Sequence, residues 1–456
     1  MLKSFNLAET LLGIFFFISL SLILTFFFPY PYYFIGGGIE PNSSYDANAD
    51  YFANTISTYI NGYPLDFIHP GIPISYFSAF LLSVFKNIGS VEGIFSLARA
   101  GLIFLNLIFI YLGSRIVLKQ NISSFFILLI ILFLYPAGFF LIDHLSPNSI
   151  LFGLGVLIIS LGYRLGEKFS FTQLALYAFT VGLSISIKYT SLIFILPFVF
   201  SLLFIKNNEN KKISFFKAII FLVAFITLSF CLISWPIVPF LPFVLTQLSG
   251  TVALINFLSS INAYLLILVT SALLITCIII SRIFRKSNLS SIQVYTFVSG
   301  FMLLCTILYS LFSFFTSTSY ISLGLSLRHF LPLLALFVIF LPKSLVTKHY
   351  FLGNPYITFF IFLLFLLVKI NFNNNINNLA FKEDRDFSSF IEKISLEHDY
   401  VVFYPTSRMS SRELFITWSD YRYGDTNKSF FEEREKIPFT INNRLQKMRI
   451  LNSRYY

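Results

Sequence analysis

The 456-residue chain is 56% hydrophobic and only 12% charged, where a soluble globular chain carries about a quarter charged residues. That balance excludes a soluble multidomain protein, and apolar runs of about 20 residues, the length that crosses a hydrocarbon core, recur from end to end. The net charge of +11 does not point to nucleic acid: 13 basic and 12 acidic residues follow position 381, so +10 lies in the apolar part. Short loops carry most of it, where the positive-inside rule places cations.

In chain order, "LLGIFFFISLSLILTFFF" opens the chain as a retained first span at about 8–29, longer than a signal-peptide core and with no small-x-small site behind it. A long first outer loop, 30–95, follows. Within it "IPISYFSAFLLSVF", 72–85, is too short for a span and reads as a juxtamembrane or re-entrant helix. Further spans fall at about 97–118, 122–142, 148–163, 172–187, 189–206, 214–235, 261–281, 291–314, 328–342 and 350–370, with 251–260 read as interfacial. Basic clusters at Arg115/Lys119, Arg164/Lys168, Lys206–Lys217, Arg282–Lys286 and Lys343/Lys348 alternate with loops poor in cations. Placing the clusters in the cytoplasm gives about 11 spans, with the N-terminus cytoplasmic and the C-terminus extracytoplasmic. After a polar linker, 371–381, the segments "FSSFIEKI", "YVVFYP" and "ELFITWSDYRY" predict a small α+β tail over 382–456, read as an extracytoplasmic cap or docking domain. Cys231, Cys277 and Cys305 sit singly in apolar runs and read as small core residues.

Ionisable groups at membrane depth are costly and mark pathways or sites. Four places on the outer side carry them. The opening loop holds Asp46, Asp50, Asp66 and His69-Pro70; "DHLSPNS" holds Asp143 and His144; "SISIKYTSL" holds Lys188; "LSLRHFLPLL" holds Arg328 and His329. Cations gather there against the positive-inside rule, and a chemical demand explains that better than topology does. Carboxylates can deprotonate a hydroxyl or hold a divalent metal, Mg or Mn, with Asp46 and Asp143 as the pair for it. Arg, Lys and His can hold a phosphate.

Each residue has a plainer reading as well. Asp46 and Asp50, four apart, equally suit one polar face of a surface helix, and Asp66 suits a turn before Pro70 better than catalysis. His69 fits an interface, Asp143 a helix end, and Lys188 snorkelling to headgroups. Arg328 is harder to explain away, because an outer cation on an apolar segment needs a partner. The chain has no Walker loop, G-x-S-x-G or H-E-x-x-H, so ATP-driven transport and the common hydrolases lack support.

The order of these pieces resembles the GT-C superfamily of membrane glycosyltransferases, which includes protein O-mannosyltransferases and the enzymes that put aminoarabinose on lipid A. The resemblance runs through Asp46, Tyr51, Gly62-Tyr63-Pro64, Asp66-Phe67 and His69-Pro70-Gly71 to "NIGSVEGIFSLARAGLIFLNLIFIYLGSRIV", "SIKYTSLIFILPF" and "RHFLPLLAL", over about residues 8–370. Two departures stand out: Asp46 is followed by Ala47 rather than an acid, and the Pro-Pro-like step is Pro70-Gly71.

The resemblance implies a GT-C-like transmembrane domain over 1–370 that moves a sugar from a polyprenyl-phosphate donor to a hydroxyl of a lipid, glycan or protein acceptor, with inversion. It implies Asp46 or Asp50 as general base, Asp46 fitting the spacing better. Asp143 would orient the acceptor or assist a metal, and Lys188, Arg328, His69 and His329 would stabilise the departing phosphate. Asp66 and Pro70 would shape the turn. The expected partners are the donor, the acceptor and the bilayer, in a bacterial inner membrane, with no nucleic acid. The competing readings are a lipid-linked glycan polymerase or ligase, which needs no leading Asp, and a transporter, which would show internal repeats.

Overall fold

The computed structural model of the protein describes residues 7–27, 45–64, 71–85, 91–118, 122–134, 147–204, 215–235, 290–316, 335–336 and 354–368. Every regular element among them is helical. The helices are α1 (Leu7–Phe27), α2 (Tyr45–Asn61), α3 (Ile72–Val84), α4 (Val91–Leu118), α5 (Ile122–Leu134), α6 (Pro147–Glu167) and α7 (Phe171–Ile187). A 3-10 helix (Tyr189–Ile195), α8 (Leu196–Leu202), α9 (Phe215–Ile233), α10 (Ser291–Thr316) and α11 (Pro355–Val368) complete the set.

Within α4, α6 and α9, the stretches Ser96–Val117, Ile150–Glu167 and Phe215–Ile233 are long and apolar enough to cross a membrane. The described residues are those of an all-α integral membrane protein. Helix α3, at 1.5 Å per residue, reaches only about 20 Å and stays short of a core about 30 Å thick. Helix α4 begins at Val91, ahead of the span start expected near 97. The expected spans at 261–281 and 328–342 (apart from Ala335 and Leu336), the interfacial segment 251–260, the linker and the tail lie outside the described residues.

Helices α4 and α6 form the centre of the bundle. Glycines set their separation: a Cβ at Gly113 would meet the Val156 backbone 2.9 Å away, and one at Gly153 would collide with Asn106. In a membrane, where water cannot drive helices together, such small residues allow close dispersion contact. Asn106 Oδ1 accepts a hydrogen bond from Gly153 N at 2.7 Å, and both groups are buried. The contact moves from Asn106/Gly153 to Gly113/Val156, so the two helices run parallel, with α5 as the return.

Helix α10 runs antiparallel to α6. Ser291 Oγ donates to Gly166 O at 2.7 Å and Tyr295 Oη to Ile159 O at 2.9 Å, with Gly162 leaving room for the phenol. Helix α9 runs parallel to α7, from the Phe171–Phe221 ring pair at 5.2 Å to Gly182 against Ile226 and Ser229. These senses agree, for these helices, with the alternation read from the loop charges.

The bundle therefore has two chemically distinct ends. Arg115 lies in the last turn of α4, Arg164 in that of α6, and Lys217 in the first turn of α9. Arg164 pairs with Glu167 at 3.0 Å, and Arg115 donates to Tyr111 Oη at 2.8 Å. The opposite end carries α2 and α3.

Replacing Gly153 by Val puts a branched side chain into the α4–α6 seam. It should cost about 1–3 kcal/mol, read as a lower melting temperature of the purified protein in detergent. An unchanged melt would contradict the close approach.

Candidate active site at the loop end of the bundle

Helix α2 is unusual in burying hydroxyls and an amide. Asn54, Thr55, Ser57 and Thr58 are all covered, along with Tyr51 and Ile56. Buried polar groups must be hydrogen-bonded, and the hydroxyls here are satisfied locally. Thr55 Oγ1 donates to Tyr51 O and Thr58 Oγ1 to Asn54 O, each at 2.7 Å, while Ser57 Oγ donates to Tyr63 O at 3.0 Å. Gly62 ends the helix with φ +80°, its N–H bonding Thr58 O at 2.9 Å. A left-handed residue favours glycine, and Pro64, two positions on, cannot continue the helix. The Gly62-Tyr63-Pro64 motif is thus a helix stop.

Tyr76 on α3 ties this turn down by donating from Oη to Gly62 O at 3.0 Å. Partial burial raises the Tyr76 phenol above its ordinary value, which keeps it a donor.

Gly71 caps α3 with φ +122°. A Cβ there would stand 2.5 Å from Tyr51 Cε1 and 3.1 Å from Pro147 Cγ. Proline fixes φ at about −65°, so a proline cannot occupy this position. At Gly71 the chain turns under the Tyr51 ring and against the start of α6.

One apolar cluster joins these pieces. Tyr51 from α2, Ile74 from α3, Ala98 and Leu102 from α4, Ile150 from α6 and Ile187 from α7 pack together. Lys188 follows Ile187 as an extended corner (φ −159°, ψ 124°) between α7 and the 3-10 helix. Its N–H bonds Ser184 O at 2.8 Å and its carbonyl accepts from Ser191 N at 3.0 Å. The residue is half-buried and makes a further interaction beyond these two.

Of the expected site residues, Asp46 and Asp50 lie one turn apart on α2, the helix that their four-residue spacing equally suited; their side chains lie outside the described set. Lys188 lies at the corner just described. Asp66, His69, Pro70, Asp143, Arg328 and His329 lie outside the described residues. Among the described residues no three His, Cys, Asp or Glu side chains gather as a metal site would require, and the pair named for a metal, Asp46 and Asp143, is not among those side chains.

A residue given no role above also stands out. Arg99, near the head of α4, is only 2% exposed and is one of the largest fully buried side chains. The signal that singles out Arg328, a cation on the outer side of an apolar segment, was present at Arg99 as well.

No protein-family model and no curated protein matches the chain. A crystal structure of ArnT from Cupriavidus metallidurans bound to undecaprenyl phosphate is similar, at 11% identity and a TM-score of 0.38, over 72% of this chain and 60% of ArnT. The chain thus spans about three fifths of the length of that protein. A likeness of that size says nothing about substrate or residues.

Gly71→Ala should cost about 1–3 kcal/mol from backbone strain alone, with a further loss from contact with Tyr51. Thermal unfolding in detergent measures it, and a melt equal to wild type would contradict the turn geometry.

Proposed function

We propose that the protein is an integral-membrane glycosyltransferase that moves a sugar from a polyprenyl-phosphate donor to an acceptor hydroxyl at the loop end of the bundle. The observation that carries this reading is the shared apolar cluster. Through it the helix bearing Asp46 and Asp50, the Gly71 turn, the start of α6 and the Lys188 corner meet at the end opposite Arg115 and Arg164. The motif order described above supplies the reaction class.

In this reading an α2 carboxylate takes the proton of the acceptor hydroxyl, the task of a general base. The hydroxyl oxygen attacks the anomeric carbon on the face opposite the phosphate. The bond from that carbon to the phosphate oxygen breaks, its electron pair leaves with the lipid phosphate, and the anomeric configuration inverts. Lys188, together with Arg328, His69 and His329, steadies the departing phosphate. One cation about 4 Å away contributes about 4 kcal/mol at an effective dielectric near 20. Asp143 orients the acceptor.

The test is transfer from a panel of polyprenyl-phosphate-linked hexoses and pentoses, assayed in membranes holding Asp46→Asn, Asp50→Asn or Lys188→Met. Loss of the base should slow transfer about 10²–10⁴-fold, and Lys188→Met should slow it by orders of magnitude. Full activity in both Asp variants would overturn the base assignment. No transfer from any donor by the wild type would overturn the reaction class. EDTA in the same assay separates a Mg- or Mn-assisted reaction from one that relies on the cations alone.

A further inference from the structure

We propose that the groove between α7 and α9 binds one anionic phospholipid from the leaflet at the basic end of the bundle. Lys217 and Thr172 meet its phosphate, with Lys168 as the second cation, and an acyl chain lies along the groove. The site is separate from the transfer reaction above and does not rest on it.

Helix α9 is the most peripheral of the three spans: 17% of it is buried, against 44% and 72% for those in α4 and α6. It rests on α7 along one line, from the Phe171–Phe221 ring pair at 5.2 Å to Gly182, where a Cβ would stand 2.6 Å from Ser229 Cβ. Ala218, Leu222 and Ser229 of α9 are buried in that seam. At about 100° per residue, Ile219, Ile226 and Phe230 fall on one flank of α9 and pack against the main core. Lys217, Ala224 and Leu228 fall on the other flank and are exposed. On α7, Leu174, Val181 and Ile185 face the same core, while Thr172, Leu176 and Phe179 on the opposite flank are exposed. The helices run parallel and the core lies on the same side of both, so the two exposed flanks wall a single groove.

The head of this groove is cationic and its length is apolar. Lys217 precedes Phe221 by one turn, and Lys168 precedes Phe171 by three residues, so both stand at the end marked by that ring pair. Arg164 is engaged by Glu167 at 3.0 Å, whereas Lys168 and Lys217 are exposed and pair with no carboxylate among the described residues. The Thr172 hydroxyl adds a donor. Below them Leu176, Phe179, Ala224 and Leu228 offer only apolar surface. From Lys217 to Leu228 the groove runs about 17 Å, close to half of a core about 30 Å thick and so to one acyl chain. An amphiphile with an anionic head matches both parts. A second copy of the chain does not, because a two-fold contact through this groove would bring the lysines of both copies together.

The test is thermal unfolding of the delipidated full-length protein in detergent, titrated with phosphatidylglycerol, with phosphatidylcholine of the same chains, or with inorganic phosphate. Phosphatidylglycerol should raise the melting temperature by about 3 °C or more near saturation, and the other two should not. Lys168→Gln combined with Lys217→Gln should raise the phosphatidylglycerol concentration needed about 30-fold, about fivefold for each lysine. Ala224→Trp, which fills the groove, should abolish the response in a protein that otherwise melts like wild type. Lys343→Gln combined with Lys348→Gln makes the same charge change in another basic cluster and should leave the response intact. Equal responses to both lipids, an equal response to phosphate, or an equal loss from the Lys343/Lys348 variant would each overturn the site. Light scattering covers the other occupant: a dimer that Ala224→Trp splits into monomers would assign the groove to a second copy and overturn the proposal.

Discussion

The close approach of α4 and α6 is the constraint on which the rest of the molecule depends. Gly113 and Gly153 remove the side chains that would hold the helices apart, and Asn106 reaches across to accept from a backbone N–H. Hydrophobic burial cannot supply this in lipid, so dispersion and buried hydrogen bonds must. The parallel pair then presents two helix starts, the Arg99 region and Pro147, at one end, and two basic helix ends, Arg115 and Arg164, at the other.

The loop end is built on that frame from short-range devices. Helix α2 satisfies its own hydroxyls, stops at a left-handed glycine, and is tied to α3 through Tyr76. Gly71 passes beneath Tyr51 and against Pro147, so three segments distant in sequence are held by one turn that only glycine accommodates. Lys188 is fixed differently, by an extended residue between two helices whose neighbouring hydrogen bonds close on both sides. A half-buried cation at a rigid corner suits a phosphate better than one on a mobile loop, because little ordering remains to be done on binding.

Much of this was legible in the sequence, and the reasons are particular. The apolar runs place α1, α6, α7, α9, α10 and α11 to within a few residues, because lipid imposes length and composition together. The break at Lys188 was legible because a cation interrupts an otherwise continuous apolar stretch. The helical state of Asp46 and Asp50 was legible only in their four-residue spacing, since α2 buries Asn, Thr and Ser on its inner face and gives little apolar periodicity. The early start of α4 at Val91 was hidden by Gly89 and Gly93, which read as a connection. Arg99 was passed over because a lone arginine near a helix start looks like a surface charge until its burial is known.

In the proposed reaction the loop end receives a lipid-linked phosphate. The most direct measurement is photo-crosslinking of the purified protein with a polyprenyl phosphate that carries a photoreactive group beside its head, followed by peptide mapping. Labelling should fall on α3 and on the segment around Lys188, and Lys188→Met should reduce it at least tenfold, a factor that about 1.4 kcal/mol of lost binding already gives. Labelling concentrated at the basic ends of α4 and α6, or labelling at the loop end that Lys188→Met leaves unchanged, would contradict the account.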